Sequence, residues 1–166
     1  AHGESWQTEQ IAYQDDKIAG AFQVFAFQTK PGSMAAMFLD ISERKRAGEE
    51  LLYKNALLGA QFEASQDAIL VVGVDGMVAS HNGRFRDMWS LSACDVEDAA
   101  RTAVFDRVRA LLRDAAAFDA FLSGLAEEPD RAATVALALE DDRTVECYST
   151  PLIDATSKYH GRIWYF

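Results

Sequence analysis

Over its last hundred or so residues the chain sets a long stretch of helical periodicity between two groups of strand-forming runs, and few sheets satisfy that order. Ala68 to Val74 is an apolar run, and Asp75-Gly76 supplies a tight turn into a second run, Met77 to His81. Asn82 stands where a helix cap is wanted, before Gly83-Arg84-Phe85-Arg86-Asp87-Met88-Trp89, in which Phe85, Met88 and Trp89 share one helical face. The spacing then predicts helix over roughly 97–126, broken near Arg113-Asp114. Val104, Val108, Leu111 and Leu112 recur at helical intervals, as do Phe118, Phe121, Leu122 and Leu125. Pro129 stops that stretch. Three closing strands are expected at Ala133–Leu139, Thr144–Ile153 and Arg162–Phe166, joined by the acidic turn Glu140-Asp141-Asp142 and the polar loop Asp154 to Gly161. With the helices in the middle, the five strands can form one antiparallel sheet with helices on one face, an α+β arrangement.

Upstream the chain changes character twice. Residues 4 to 41 are rich in aromatic and aliphatic side chains, and three short strands are expected, about 5–13, 20–29 and 33–41. Asp15-Asp16 and Pro31-Gly32 break the runs. Phe22-Gln23-Val24-Phe25-Ala26-Phe27 fails a helical stripe, while its aromatic and β-branched content suits a strand. From Ser42, a candidate helix cap, a charged and proline-free stretch runs to about residue 66. Leu51, Asn55, Leu58 and Phe62 are spaced four, three and four, as in a coiled-coil seam, although one amphipathic helix packed on its own domain needs the same stripe. Asn55 in such a seam sets register at some cost in stability.

Charge narrows the function classes. The formal net charge is −10, from 26 acidic against 16 basic side chains, and a surface of that sign repels phosphate backbones. No apolar run approaches the roughly 20 residues that cross a bilayer, so no nucleic-acid or membrane partner is expected of these residues. Two cysteines, Cys94 and Cys147, belong to no CxxC pair or metal-spaced cluster, which fits a reducing, cytoplasmic setting. Only His2, His81 and His160 are available as imidazoles, and no nucleophile elbow or Gly-rich phosphate loop occurs. Catalysis is not expected.

The later residues resemble a PAS domain. The likeness lies in Asp67-Ala68-Ile69-Leu70-Val71-Val72 with Asp75-Gly76, in Asn82 followed by Phe85 and Trp89, in Tyr148-Ser149-Thr150-Pro151-Leu152, and in Gly161 to Phe166. An internal resemblance accompanies it. Phe22 to Ser42 is similar to the last two strands of such a domain, ending in the family's Asp-Ile-Ser/Thr signature as Asp40-Ile41-Ser42. The run from Val145 to Phe166 shares the layout. The implied organisation is the closing strands of a preceding PAS-like domain at 1–41, a linker helix at 42–66, and a PAS-like sensory domain at 67–166. Gly83 in place of the usual proline, and unusually long alanine-rich helices, depart from the family.

The resemblance implies a sensing and signal-transmitting module of a larger signalling protein, such as a histidine kinase or a cyclic-dinucleotide enzyme, with the output domain outside this chain. Asp40, Ile41, Ser42 and Arg44 are the candidate relay, and Leu51, Asn55, Leu58 and Phe62 the candidate seam of a homodimer. A small-molecule pocket between sheet and helices would be lined by Val71, Phe85, Met88, Trp89, Leu122, Val135, Leu137, Cys147, Ser149, Ile163 and Tyr165, although plain core packing accounts for each of these as well. The cofactor is unknown. Flavin-cysteinyl photochemistry is not supported, because Gly83 stands where the light sensors carry cysteine in Asn82-Gly83-Arg84-Phe85. His-ligated haem is not supported, because 97–126 contains no histidine. The alternative is a ligand-free dimerisation or docking scaffold, with the aromatic sets Phe22, Phe25, Phe27 and Trp164, Tyr165, Phe166 forming an open sheet face.

Overall fold

A computed structural model describes residues 6–14 and 19–166, with 6–14 and Ala19 described as backbone only. The chain divides into two compact units, Ala1–Leu58 and Gly59–Phe166, each described by itself.

The first unit is an antiparallel meander of β1 (Trp6–Gln14), β2 (Ala19–Lys30) and β3 (Ser33–Asp40), in that order. The expected start of the first strand at Ser5, the Asp15-Asp16 break and His2 lie outside the described residues. Pro31-Gly32 makes the β2–β3 turn, with Gly32 at φ 78°, a conformation open to glycine. β3 pairs along its length with β2, from Lys30↔Ser33 to Phe22↔Asp40.

α1 (Ser42–Glu63) follows directly. Its start differs from expectation. Ser42 is the first helical residue rather than the cap, and the Asp40 carboxylate accepts the Ser42 N–H at 2.9 Å. The Ser42 hydroxyl also accepts the Ala21 N–H at 2.9 Å. The helix also stops at Glu63, short of the expected residue 66. The Phe62 carbonyl is taken by the Asn82 side chain, and Ser65 Oγ accepts the Asp67 N–H, turning the chain toward the next strand.

In the second unit one five-stranded antiparallel sheet runs in the order β5-β4-β8-β7-β6, built from β4 (Ile69–Gly73), β5 (Val78–His81), β6 (Ala133–Ala138), β7 (Thr144–Ile153) and β8 (Tyr159–Tyr165). β8 is central: Leu70↔Trp164 ties it to the early hairpin and Tyr148↔Tyr165 to β7. It starts earlier than the expected Arg162, because Asp154 folds the preceding loop into a tight turn. Its carboxylate accepts the N–H groups of Thr156 and Lys158 and meets His160 at 2.7 Å.

The expected long helix is two helices, α3 (Arg101–Arg109) and α4 (Ala115–Glu127), after the short α2 (Gly83–Trp89) and a 3-10 turn at Ala93–Asp95. The break spans 110–114 and includes the expected Arg113-Asp114. Arg113 N–H reaches Ala138 O on the sheet, and Asp114 caps α4 through the Ala116 N–H. Residues 97–100 are not helical, because Val78 N–H bonds Ala99 O and Arg101 N–H bonds Gly76 O, pinning this segment to the β4–β5 turn.

One core fills the space between the sheet's inner face and α2, α3 and α4. Phe105 packs edge-on to Trp164 at 5.0 Å between ring centroids and to Phe118 at 5.3 Å, and Trp89 edge-on to Phe166 at 5.2 Å. Each such buried aromatic stabilises by about 1.5–3 kcal/mol through area alone, so this cluster accounts for much of the unit's cohesion.

Candidate functional site

Strand alternation divides the eleven expected pocket residues between two surfaces. Phe85, Trp89, Leu137, Cys147 and Ser149 are buried on the inner side, and Met88, Leu122 and Val135 pack against them half-buried. Val71, Ile163 and Tyr165 pair in register with Ser80, Thr150 and Tyr148, alternate with the inward Leu70, Val72, Arg162 and Trp164, and so lie on the outer face. Val71 and Ile163 therefore do not join the inner set, whereas Tyr165 meets Met88 at the groove described below.

The polar members of the inner set are committed to the fold. Ser149 Oγ donates to Ile163 O at 3.2 Å and accepts from Arg162 Nε at 3.1 Å. Burial pushes the Cys147 thiol up to about 12, leaving no thiolate for chemistry. Arg162, absent from the expected set, is 6% exposed and meets no carboxylate among the described residues. Its guanidinium donates to Pro129 O at 2.5 Å and Arg131 O at 2.6 Å, fastening the α4–β6 loop to the sheet. Desolvation lowers its pKa from the ordinary arginine value.

A groove of about 700 Å³ opens at the end of β8. Asp67, Met88, Glu146, Tyr148, Tyr165 and Phe166 are among its lining residues. Tyr148 and Tyr165 stack at 5.9 Å with 29° between their planes. Phe166 exchanges both backbone bonds with Ala68 of the β4 side, so by alternation Tyr165 and Ile163 bond toward β7 and their partners are its even-numbered residues. With the carboxylates of Asp67 and Glu146, the surface suits a cation-bearing group.

The relay residues sit at the β3–α1 junction. Ile41 is buried, and its N–H bonds Ala21 O at 2.8 Å. Ser42, first through its hydroxyl and then through its backbone N–H, holds the Asp40 carboxyl below the usual range. The cation that adds to this is Arg46. Arg44 is exposed and makes no ion pair among the described residues; the charge that acts on Asp40 sits two positions further along. On α1, Leu51 and Leu58 are 60% and 62% exposed, Asn55 is exposed and Phe62 half-buried. No residue of the helix is buried.

At its other end α1 meets Asn82, which sequence reasoning saw only as a helix cap. The cap exists: Asn82 Oδ1 accepts the Phe85 N–H at 3.0 Å. The same oxygen accepts the Ile69 N–H at 2.9 Å, while Nδ2 donates to Phe62 O at 3.3 Å and Asp67 O at 2.9 Å. Glu63 adds a bond from the Gly83 N–H at 2.9 Å.

Among the described residues no three His, Cys, Asp or Glu side chains gather as a metal site, and no helix is long and apolar enough to cross a membrane.

The second unit has the α+β, PAS-like arrangement that the resemblance implied: hairpin at one edge, β8 in the centre, helices on one face. No family model matches the chain, and no curated protein matches it. Among solved structures it is similar to the PAS domain of an HTR-like protein from Haloarcula marismortui, at 21% identity over 73% of this chain and 96% of that one, with a TM-score of 0.49. It is also similar to the PAS domain of BvgS from Bordetella pertussis, at 16% identity over 68% and 82%, TM-score 0.42. A third is the PAS domain of nitrogen regulation protein NR(II) from Vibrio parahaemolyticus, at 13% identity over 66% and 96%, TM-score 0.39.

Proposed function

We propose that the chain is a sensing and transmitting PAS module of a larger signalling protein, non-catalytic itself, working in the cytoplasm as a homodimer joined along α1. The observation that carries this is α1. It is a 22-residue helix with no buried residue, entered directly from the strand β3 and exposing Leu51 and Leu58. An element of that kind connects rather than fills a core, and its apolar positions ask for a second copy. The groove beside Met88 is the reading site, and its carboxylates and stacked tyrosines favour a partner group carrying a Lys or Arg. The output is a histidine kinase or cyclic-dinucleotide domain, driven through rotation or sliding of paired α1 helices.

Sedimentation of the chain against its L51D/L58D double variant tests the dimer. The expected result is a dimer converted to monomer with unchanged circular dichroism, since both leucines are exposed. A wild-type monomer at tens of micromolar, or a dimer indifferent to both aspartates, removes the support. In the parent protein, Asp40→Ala should alter output control while the fold persists.

One observation favours the ligand-free scaffold: Trp89, Trp164, Phe85, Phe105 and Phe118 close the inner core. Native mass spectrometry separates the two readings. A released small molecule sinks the scaffold, and a bare protein that still dimerises supports it.

A further inference from the structure

The Asn82 side chain is 0% exposed and has every hydrogen-bonding position filled, two on Oδ1 and two on Nδ2. The orientation of its amide is unambiguous, because a flip would set two N–H groups against two others and oxygen against carbonyls. These bonds join three elements. Phe62 O belongs to the last turn of α1, where carbonyls have no partner within the helix, so Nδ2 acts as its C-terminal cap. Phe85 N–H belongs to the first turn of α2, and Ile69 N–H opens β4. The fourth partner, Asp67, lines the groove, as does Met88 one turn further along α2 from Phe85.

We propose that Asn82 is the coupling residue between groove and linker helix, a positioning role that rests on the signalling function above. α2 cannot tilt at Met88, nor Asp67 shift, without changing the geometry at an amide that also caps α1. A saturated buried amide has no slack and no water to substitute for a lost partner, so displacement at the groove becomes fraying or re-seating of the Phe62–Glu63 turn. Glu63, bonded to the Gly83 N–H, moves with it.

Aspartate separates the two jobs of this side chain. Asn82→Asp keeps an acceptor for Ile69 and Phe85 but turns oxygen toward the carbonyls of Phe62 and Asp67. The test is a double-mutant cycle on the intact 166-residue chain, with Met88→Ala as the groove perturbation and amide hydrogen exchange at Phe62, Glu63 and Ala64 as the readout. Met88→Ala is expected to raise exchange at these amides several-fold in the wild type. In the N82D background they start faster, and Met88→Ala adds nothing. If N82D does not fold, N82S takes its place, since a serine hydroxyl can still accept the Phe85 N–H but is too short to reach Phe62 O. A Met88→Ala effect of equal size in both backgrounds overturns the proposal, as does no effect in the wild type. A merely structural Asn82 would alter stability without abolishing the response to Met88. The cycle is read on the chain alone, so a chain that couples but neither dimerises nor controls an output refutes the proposed function and leaves the coupling standing.

Discussion

Gly161→Ala is the sharpest test of how the second unit is closed, because this glycine lies where β8 first meets β4. Gly161 has φ 131°, a region that side-chain-bearing residues rarely enter, and holding alanine there costs about 1–3 kcal/mol. An added Cβ would also stand 2.0 Å from Val72 O, 2.9 Å from Gly73 Cα and 3.0 Å from Val72 C. All three are backbone atoms, so no side-chain rotation relieves the contact. Relief means parting the strands at Gly73↔Gly161 and Val72↔Arg162, and two lost ladder bonds add about 1–3 kcal/mol. The sum, about 2–6 kcal/mol, is a large share of the ~5–15 kcal/mol that stabilises a domain. Urea unfolding followed by fluorescence reads it directly, since Trp89 and Trp164 are both buried in this unit. Gly124→Ala in α4 is the matched control. Its Cβ meets nothing within 4 Å, and removing a helix-interior glycine should stabilise by about 0.5–1 kcal/mol. A G161A midpoint equal to wild type within error, or one above G124A, would refute the placement of β8 beside β4.

Other consequences are as direct. At pH 8 a thiol reagent should modify one cysteine quickly, the exposed Cys94, and reach Cys147, with its thiol pushed up to about 12, only on unfolding; rapid double labelling contradicts the packing. Asp154 is held below the usual carboxylate range by His160 first, then by Thr156 and the Lys158 N–H. Its contribution is therefore present above the ordinary aspartate pKa of about 3.9 and lost only as pH falls through the lower folded value. The stability gap between wild type and D154N should be full at pH 6 and close only at strongly acidic pH; a gap that closes above pH 5 runs against the bonding described. Arg162→Met removes charge-assisted bonds of about 1.5–3 kcal/mol each and relieves a desolvation cost of several kcal/mol, for a net loss of about 1–3 kcal/mol. It should also speed exchange of the Arg131 amide, whose carbonyl Arg162 holds; an unchanged rate there removes the clamp from the account.

Much of the architecture was legible because it is local. Asp75-Gly76, Pro31-Gly32 and Asp114 act through turn and cap chemistry within a few residues, and a period of two or of 3.6 is visible in a short window. The site was less legible, and particular residues show why. In β8, Arg162 points inward and Ile163 and Tyr165 outward, against the usual sorting of charge and hydrophobicity. β4 is apolar at every position, so its alternation has no visible phase. Strand parity could not be assigned without knowing which neighbour each strand meets, and Val71, Ile163 and Tyr165 fell on the outer face; of these, Tyr165 lines the groove. The Asn82 cap was visible because Phe85 follows three positions on. Its bonds to Phe62 and Ile69 span 20 and 13 residues, and no spacing rule reaches that far.

By itself, then, the amino-acid order determined where strands and helices form, their sequence along the chain, and the α+β class, since backbone propensity, turn chemistry and apolar period are short-range. Only the tertiary structure decided which face of each strand is inside, that Arg162 and Ser149 serve the fold, and that one amide ties α1, β4 and α2 together. Those outcomes depend on which distant groups arrive within hydrogen-bonding distance, and burial makes such a meeting favourable only once the whole sheet has closed around β8.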